Sequence, residues 1–169
     1  KIMFIHKGVV EEFGTPEDLH GIQCAMGTAK AVKLYEYVAK LRPDAEKAAG
    51  YVSDFDYNDW SNQLRDFLGS AADTMIALEA KEGKYNKSAH KARFDLIAEN
   101  WDSILQIIRE ELPTSEQFEK IMDTVGISTD LNMLDVDSTC AKQTFRVTKD
   151  IRDKYVLSRL YWDLGMLPV

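Results

Sequence analysis

Apolar residues along this chain recur at steps of three and four, and alternation of period two is absent. That pattern confines the fold to packed helices, because a half-buried strand places its apolar set on every second residue. The clearest run is Asn86 to Leu112. Phe94, Ile97, Trp101, Ile104, Leu105, Ile108 and Leu112 fall on one helical face, with Asp95, Glu99, Asp102, Arg109 and Glu110 on the other side. Asn86 or Ser88 caps the start and Pro113 stops the end. Phe94, Ile97, Trp101, Ile104, Leu105 and Ile108 are therefore the predicted core.

Boundary signals divide the remainder. Thr114-Ser115-Glu116-Gln117 is a capping box that opens a helix through Phe118, Ile121, Met122 and Val125, ended by Gly126. Asp56 or Asn58 opens another, with Trp60, Leu64, Phe67 and Leu68, closed by Gly69. Ser70 to Ala80 continues helically until Gly83, and a last stretch runs from about Asp137 to Leu164 before Gly165. The segment His20 to Leu41 mixes Gly21, Ala25, Gly27, Ala29 and Ala31 with Ile22, Met26, Val32 and Leu34. It is read as a central helix packed closely on several sides. Asp130 to Asp137 is an irregular linker too short to separate domains. The expected fold is a single all-α domain over residues 1–169, a bundle of about seven or eight helices.

Composition excludes several classes. Seven Phe, seven Tyr and three Trp in 169 residues furnish a core, which is incompatible with disorder of the whole chain. The net charge of −7 without a basic stripe argues against nucleic acid as a partner. No apolar run approaches the roughly 18 residues of a membrane span. Two cysteines, Cys24 and Cys140, make no disulfide framework and no metal-type pair of closely spaced thiols. They read as free thiols of a cytoplasmic protein.

Motifs for phosphate loops, dinucleotide folds, nucleophile elbows and helix-borne zinc sites are absent. Three histidines remain: His6, His20 and His90. His90, among Lys87, Ser88, Lys91 and Arg93, reads as a solvated surface residue. Glu79, Glu82, Glu110 and Glu111 are likewise assigned to solvated faces. His20 follows the turn-rich Gly14-Thr15-Pro16-Glu17-Asp18 and opens the small-residue helix. A helix start disfavours imidazolium, and a neutral imidazole is what a metal takes. The same position also suits a histidine that only packs or caps. Gly21 beside it leaves room for a ligand. His6 lies fourteen residues earlier. About 10 Å of helix can be climbed by the intervening loop, so the pair can meet, though nothing requires it.

The run Leu19-His20-Gly21-Ile22-Gln23-Cys24-Ala25-Met26-Gly27-Thr28 resembles the histidine-glycine signature of the polyol dehydrogenase and dehydroquinate synthase superfamily. Within it the chain is most similar to sn-glycerol-1-phosphate dehydrogenases of the bacterial AraM type. Phe55-Asp56-Tyr57, Trp60, Phe67-Leu68-Gly69, Lys84-Tyr85, Ile151-Arg152-Asp153-Lys154-Tyr155 and Tyr161-Trp162-Asp163-Leu164-Gly165 extend the resemblance from about Phe13 to Leu167. It implies the all-α, C-terminal metal-binding domain of a two-domain enzyme, whose N-terminal α/β domain would bind NAD(P). It implies a divalent metal (zinc, iron or nickel) held by an acidic residue and two histidines, with His20 as the second. The first histidine of the family pattern begins an H-x-x-x-H, and Ile2 stands four before His6. Either that ligand lies upstream of Lys1, or His6 is the second histidine of the pattern, or the ligand is lost. The implied reaction is reduction of dihydroxyacetone phosphate, a phosphorylated small molecule, with Gly21 on the substrate side. Glycerol dehydrogenase, dehydroquinate synthase and a non-catalytic assembly module are the alternatives. A homo-oligomer is the expected assembly. The domain alone is expected neither to bind NAD(P) nor to turn over substrate.

Overall fold

A computed structural model describes residues 20–130, 137–151 and 153–167. His6, the loop before His20, most of the Asp130–Asp137 linker and Arg152 lie outside them. Among the described residues every regular element is helical, as the periodicity predicts. These are α1 (His20–Val38), α2 (Ala45–Ser53), α3 (Tyr57–Leu68), a 3-10 turn (Gly69–Ala71), α4 (Ala72–Glu82), α5 (Lys87–Glu99), α6 (Trp101–Glu111), α7 (Ser115–Thr124), α8 (Ser138–Ile151) and α9 (Leu157–Asp163). The chain forms two compact units, one from Lys1–Leu41 and Asp102–Thr144, the other from Arg42–Trp101 and Phe145–Val169.

In the first unit α1 packs on α7. The capping box forms as predicted: the Thr114 hydroxyl accepts from the Gln117 amide, and the Gln117 side chain accepts from Thr114 N–H. Glu36 on α1 adds to it, accepting from Ser115 N at 2.7 Å and Ser115 Oγ at 2.8 Å. One orphan backbone donor at the start of α7, together with the Ser115 hydroxyl, is thus tied to α1. These hydrogen bonds hold the Glu36 carboxyl below its ordinary pKa. Lys33 and Glu119 pair across the same contact at 2.6 Å. The buried residues of α1, Gln23, Met26, Ala29, Val32 and Val38, are spread around most of its circumference, because each step of three falls about 60° short of a full turn. Burial on several sides therefore agrees with the expectation for this helix, and the stripe through His20, Cys24 and Thr28 is left exposed.

In the second unit α2 packs on α5, α3 on α4, and α9 on α5. Asp56 caps α3, accepting from Asn58 N and Asp59 N, and Asn86 caps α5, accepting from Ala89 N. An aromatic cluster fills the interior. Tyr85 stacks on Phe55 at 4.3 Å and meets Trp162 and Trp60 edge-on at 4.9 and 5.1 Å. Such geometries add about 0.5–1.5 kcal/mol per pair to area burial. After α9 the chain turns at Gly165, with φ of +68°, and runs against α2. A Cβ there would meet Ala48 Cα at 2.9 Å and the Lys47 carbonyl oxygen at 3.0 Å, so only glycine fits.

Two predicted helices are broken. Asn100 interrupts the Asn86–Leu112 run with φ −102° and ψ 15°. Its side-chain amide and its backbone N–H both donate to the Leu96 carbonyl, at 2.9 and 3.2 Å, a local bond that competes with helix propagation. The buried stripe keeps its steps of three and four across the break. Phe94, Ile97, Trp101 and Leu105 are buried as predicted, but Ile104 and Ile108 are only half-buried. The Asp137–Leu164 run is likewise split, with Val156 extended before α9. Thr148 Oγ1 and Ser158 Oγ meet at 2.7 Å across that split.

Burial predicts contrasting neighbours on α6. Leu105, 5% exposed, should cost about 2–5 kcal/mol on replacement by Ala. Ile107, 59% exposed, should cost below about 0.5 kcal/mol for the same change. Urea unfolding of the two variants measures both.

Candidate metal-binding face and a buried polar network

His20 stands on the solvent side of α1, and Cys24 and Thr28 follow on the same exposed stripe at steps of four. One turn on, Cys24 Sγ lies 3.4 Å from His20 Nε2 and 3.9 Å from Nδ1. Gly21 is exposed, and a Cβ built on it would meet nothing within 4 Å. Packing therefore makes no demand for glycine there, and the approach to His20 is open. Lys30 and Lys33 are exposed. Among the described residues no group of three His, Cys, Asp or Glu side chains converges to hold a metal. The local donor set is one imidazole and one thiol, a nitrogen and a sulfur suited to a borderline-soft ion such as zinc. His6 lies outside the described residues.

His90 corrects the sequence expectation. It is 4% exposed, and its Nε2 lies 3.0 Å from the main-chain oxygen of Asp163. Lys87 and Lys91 are exposed, whereas His90, Phe94 and Ile97 share the buried face of α5. The signal was present in the sequence: the stripe Phe94, Ile97, Trp101 extended back by one step of four reaches His90.

Glu79 is corrected in the same way. It is buried, and its carboxylate accepts from Tyr85 N at 3.0 Å and Lys84 N at 3.2 Å. Burial raises its pKa above the ordinary carboxylate value, against these hydrogen bonds. The side chain fastens the Gly83–Asn86 turn that joins α4 to α5. Sequence spacing alone carried no sign of this, because the partners are backbone amides of a loop.

Around that turn the second unit buries a balanced set of charges. Asp163, fully buried on α9, accepts from Arg93 Nη2 at 3.1 Å and from Tyr155 Oη at 2.9 Å. Arg159, one turn before it, lies 3.8 Å from the same carboxylate. Both arginines also donate to the Lys84 carbonyl. Asp150, on α8, accepts from Lys149 Nζ at 2.6 Å, from Trp60 Nε1 at 3.2 Å and from the Tyr85 hydroxyl. Lys149 and Arg159 sit over the Tyr85 ring at 5.5 and 5.3 Å. Burial lowers the Lys149 pKa, and burial together with the Asp150 carboxylate drives that of Tyr85 well above its ordinary 10.0. These groups pair with and hydrogen-bond one another inside the unit, while Arg159 Nη1 makes no hydrogen bond to the described residues.

A half-open cleft of about 260 Å³ lies between α2 and α5 beside this network. Its lysines are engaged, Lys87 with the Ser53 carbonyl at 2.9 Å and Lys91 with Asp95 at 2.6 Å. Compared with known proteins, the chain matches no family model, no curated protein and no solved structure.

The network makes two predictions. Asp163→Asn leaves Arg93 and Arg159 facing a neutral amide and should cost about 3–5 kcal/mol, read by urea unfolding. The alkaline limb of stability follows from Tyr85. Native Tyr85 keeps its proton above pH 10, while the unfolded phenol ionises near 10, so the native state binds more protons there. Stability must fall as pH rises through 10, by up to about 1.4 kcal/mol per pH unit from this group. Lys149, with its lowered pKa, acts with the opposite sign below its ordinary 10.5. Tyr85→Phe should flatten the alkaline fall by one proton, measured as unfolding free energy against pH.

Proposed function

We propose that this chain is the helical, metal-binding domain of an NAD(P)-dependent polyol-phosphate dehydrogenase that reduces dihydroxyacetone phosphate to sn-glycerol 1-phosphate. The observation that carries the proposal is the His20-Gly21-Ile22-Gln23 run closing on Gly27-Thr28, with its histidine on an open helix face. His20 holds the metal through a ring nitrogen. Gly21 keeps the neighbouring surface free for the ketone and the nicotinamide. When bound, the divalent metal supplies Lewis acidity toward the ketone oxygen and NAD(P)H supplies the hydride. The resemblance assigns the nucleotide to an N-terminal α/β domain of the full protein; this sequence itself carries no phosphate-binding glycine loop.

A second reading, a helical assembly module, is favoured by exposed apolar residues in the first unit. Ile121 on α7 and Val125 at its C-cap are 54% and 61% exposed. Both readings accommodate a homo-oligomer.

The deciding assay is NAD(P)H oxidation by the full-length gene product with dihydroxyacetone phosphate, parent beside His20→Ala. Bound metal and turnover should both fall, by more than the roughly 10–100-fold that loss of an outer-shell partner costs. The helical circular dichroism should be unchanged, because His20 is exposed. Full turnover and full metal content in the variant would exclude His20 as the ligand. A full-length product with no ketone reductase activity would leave the assembly reading.

A further inference from the structure

We propose that the cleft between α2 and α5 binds a small aromatic carboxylate that also carries a hydrogen-bond donor: its ring lies between the two helices, its donor meets His90 Nδ1 and its carboxylate meets Lys87. The site goes beyond the dehydrogenase reading and is independent of His20.

The cleft follows from what the two helices present to each other. Ala45, Ala48, Ala49 and Val52 come from α2, at the steps of three and four that mark one helical face. Lys87, His90, Lys91 and Phe94 come from α5 at the same steps. Packed helix faces interdigitate when their side chains fill the grooves between them. Here three of the four α2 residues are alanines, too short to fill the space opposite two rings, and about 260 Å³ stays open. The His90 and Phe94 rings stand 6.4 Å apart with only 34° between their planes. A slot with rings on one side and methyl groups on the other takes a flat apolar body. An apolar cavity of roughly 150 Å³ already holds benzene, so a single substituted ring fits this volume.

Two polar groups fix what the ring must carry. His90 is buried, and its Nε2 donates to the Asp163 carbonyl oxygen, so in the neutral imidazole Nδ1 is an acceptor. Nδ1 has no partner among the described residues, and its side chain lines the cleft. An unmatched acceptor in an apolar cleft calls for an O–H or N–H donor. At the mouth Lys91 is neutralised by Asp95 at 2.6 Å, whereas the partner of Lys87 is the neutral Ser53 carbonyl at 2.9 Å. Lys87 therefore brings an uncompensated positive charge with further N–H donors to spare, which selects an anion. Three residues, about 4.5 Å of helical rise, separate it from His90. The lysine side chain extends that span, so groups at opposite ends of one ring reach both.

The test is a titration of the 169-residue chain with 4-hydroxybenzoate, followed by the methyl signals of Ala45, Ala48, Ala49 and Val52 and by the nitrogen signal of His90 Nδ1. The methyl signals should shift saturably with a Kd of about 1 mM or tighter, and the Nδ1 signal should move upfield as it accepts a hydrogen bond. Benzoate, which lacks the phenol donor, and phenol, which lacks the carboxylate, should each bind about fivefold more weakly or worse. The donor end is varied on the ligand because His90 also holds Asp163. Lys87→Met should weaken 4-hydroxybenzoate by a similar factor and leave phenol unchanged. Ala49→Phe, at an exposed position, should fill the slot and abolish binding while the helical circular dichroism is kept. No saturable shift at about 10 mM ligand overturns the site. So does benzoate binding as tightly as 4-hydroxybenzoate, or Ala49→Phe binding with the affinity of the parent. Shifts at the exposed Ile121 and Val125 in place of the alanines would mark general apolar adhesion and overturn it as well.

Discussion

The buried carboxylate of Asp163 is the interaction on which the second unit depends. It is fully out of solvent on the short helix α9, where an ionised carboxylate is tolerated only if cations and donors surround it. Arg93 from α5, Arg159 from its own helix and the Tyr155 hydroxyl supply them. The main-chain oxygen of the same residue receives His90, so α5 and α9 are joined twice. Because Arg93 and Arg159 also reach the Lys84 carbonyl, the turn between α4 and α5 is drawn into the same network. A helix of seven residues is too short to stand by itself in water. Here tertiary contacts hold it.

Asp150 plays the corresponding part for α8. Its partners, Lys149, Trp60 and Tyr85, link α8 to α3 and to the same turn. Tyr85 is the hinge of the arrangement, since its ring stacks on Phe55, its face lies beneath two cations and its hydroxyl meets Asp150. Apolar burial and charge neutralisation therefore act at one residue. Removing a charged partner would leave the opposite charge buried and uncompensated, which is costly.

The first unit is held by lighter devices. Glu36 closes the start of α7, and its acceptor oxygens take over donors that a helix start leaves unmet. The opposite side of α1 is left to solvent, and the histidine-glycine run displays His20 and Cys24 there. The candidate site is accordingly an exposed stripe of one helix that is otherwise buried around much of its circumference.

The sequence by itself determined the helical class, the caps at Asp56, Asn86 and Thr114, and most of the buried stripe through Phe94, Ile97, Trp101 and Leu105. Each is a local matter: a helix period, or a side chain bonding an amide two or three residues away, is written in neighbouring positions. It also singled out His20, by a run of adjacent residues. The i, i+4 spacing of Cys24 was equally legible, although the contact of its sulfur with the ring depends on side-chain rotation. Only the tertiary structure decided that Glu79, Asp150 and Asp163 are interior groups. Their partners lie up to ninety positions away in the chain, as Trp60 and Asp150 do, and a charged residue reads as solvated until the fold brings its counter-charge beside it. The breaks at Asn100 and before α9 have the same origin in part. Propensity favoured continuous helices, and hydrogen bonds at Asn100 and between Thr148 and Ser158 accompany the departure from them.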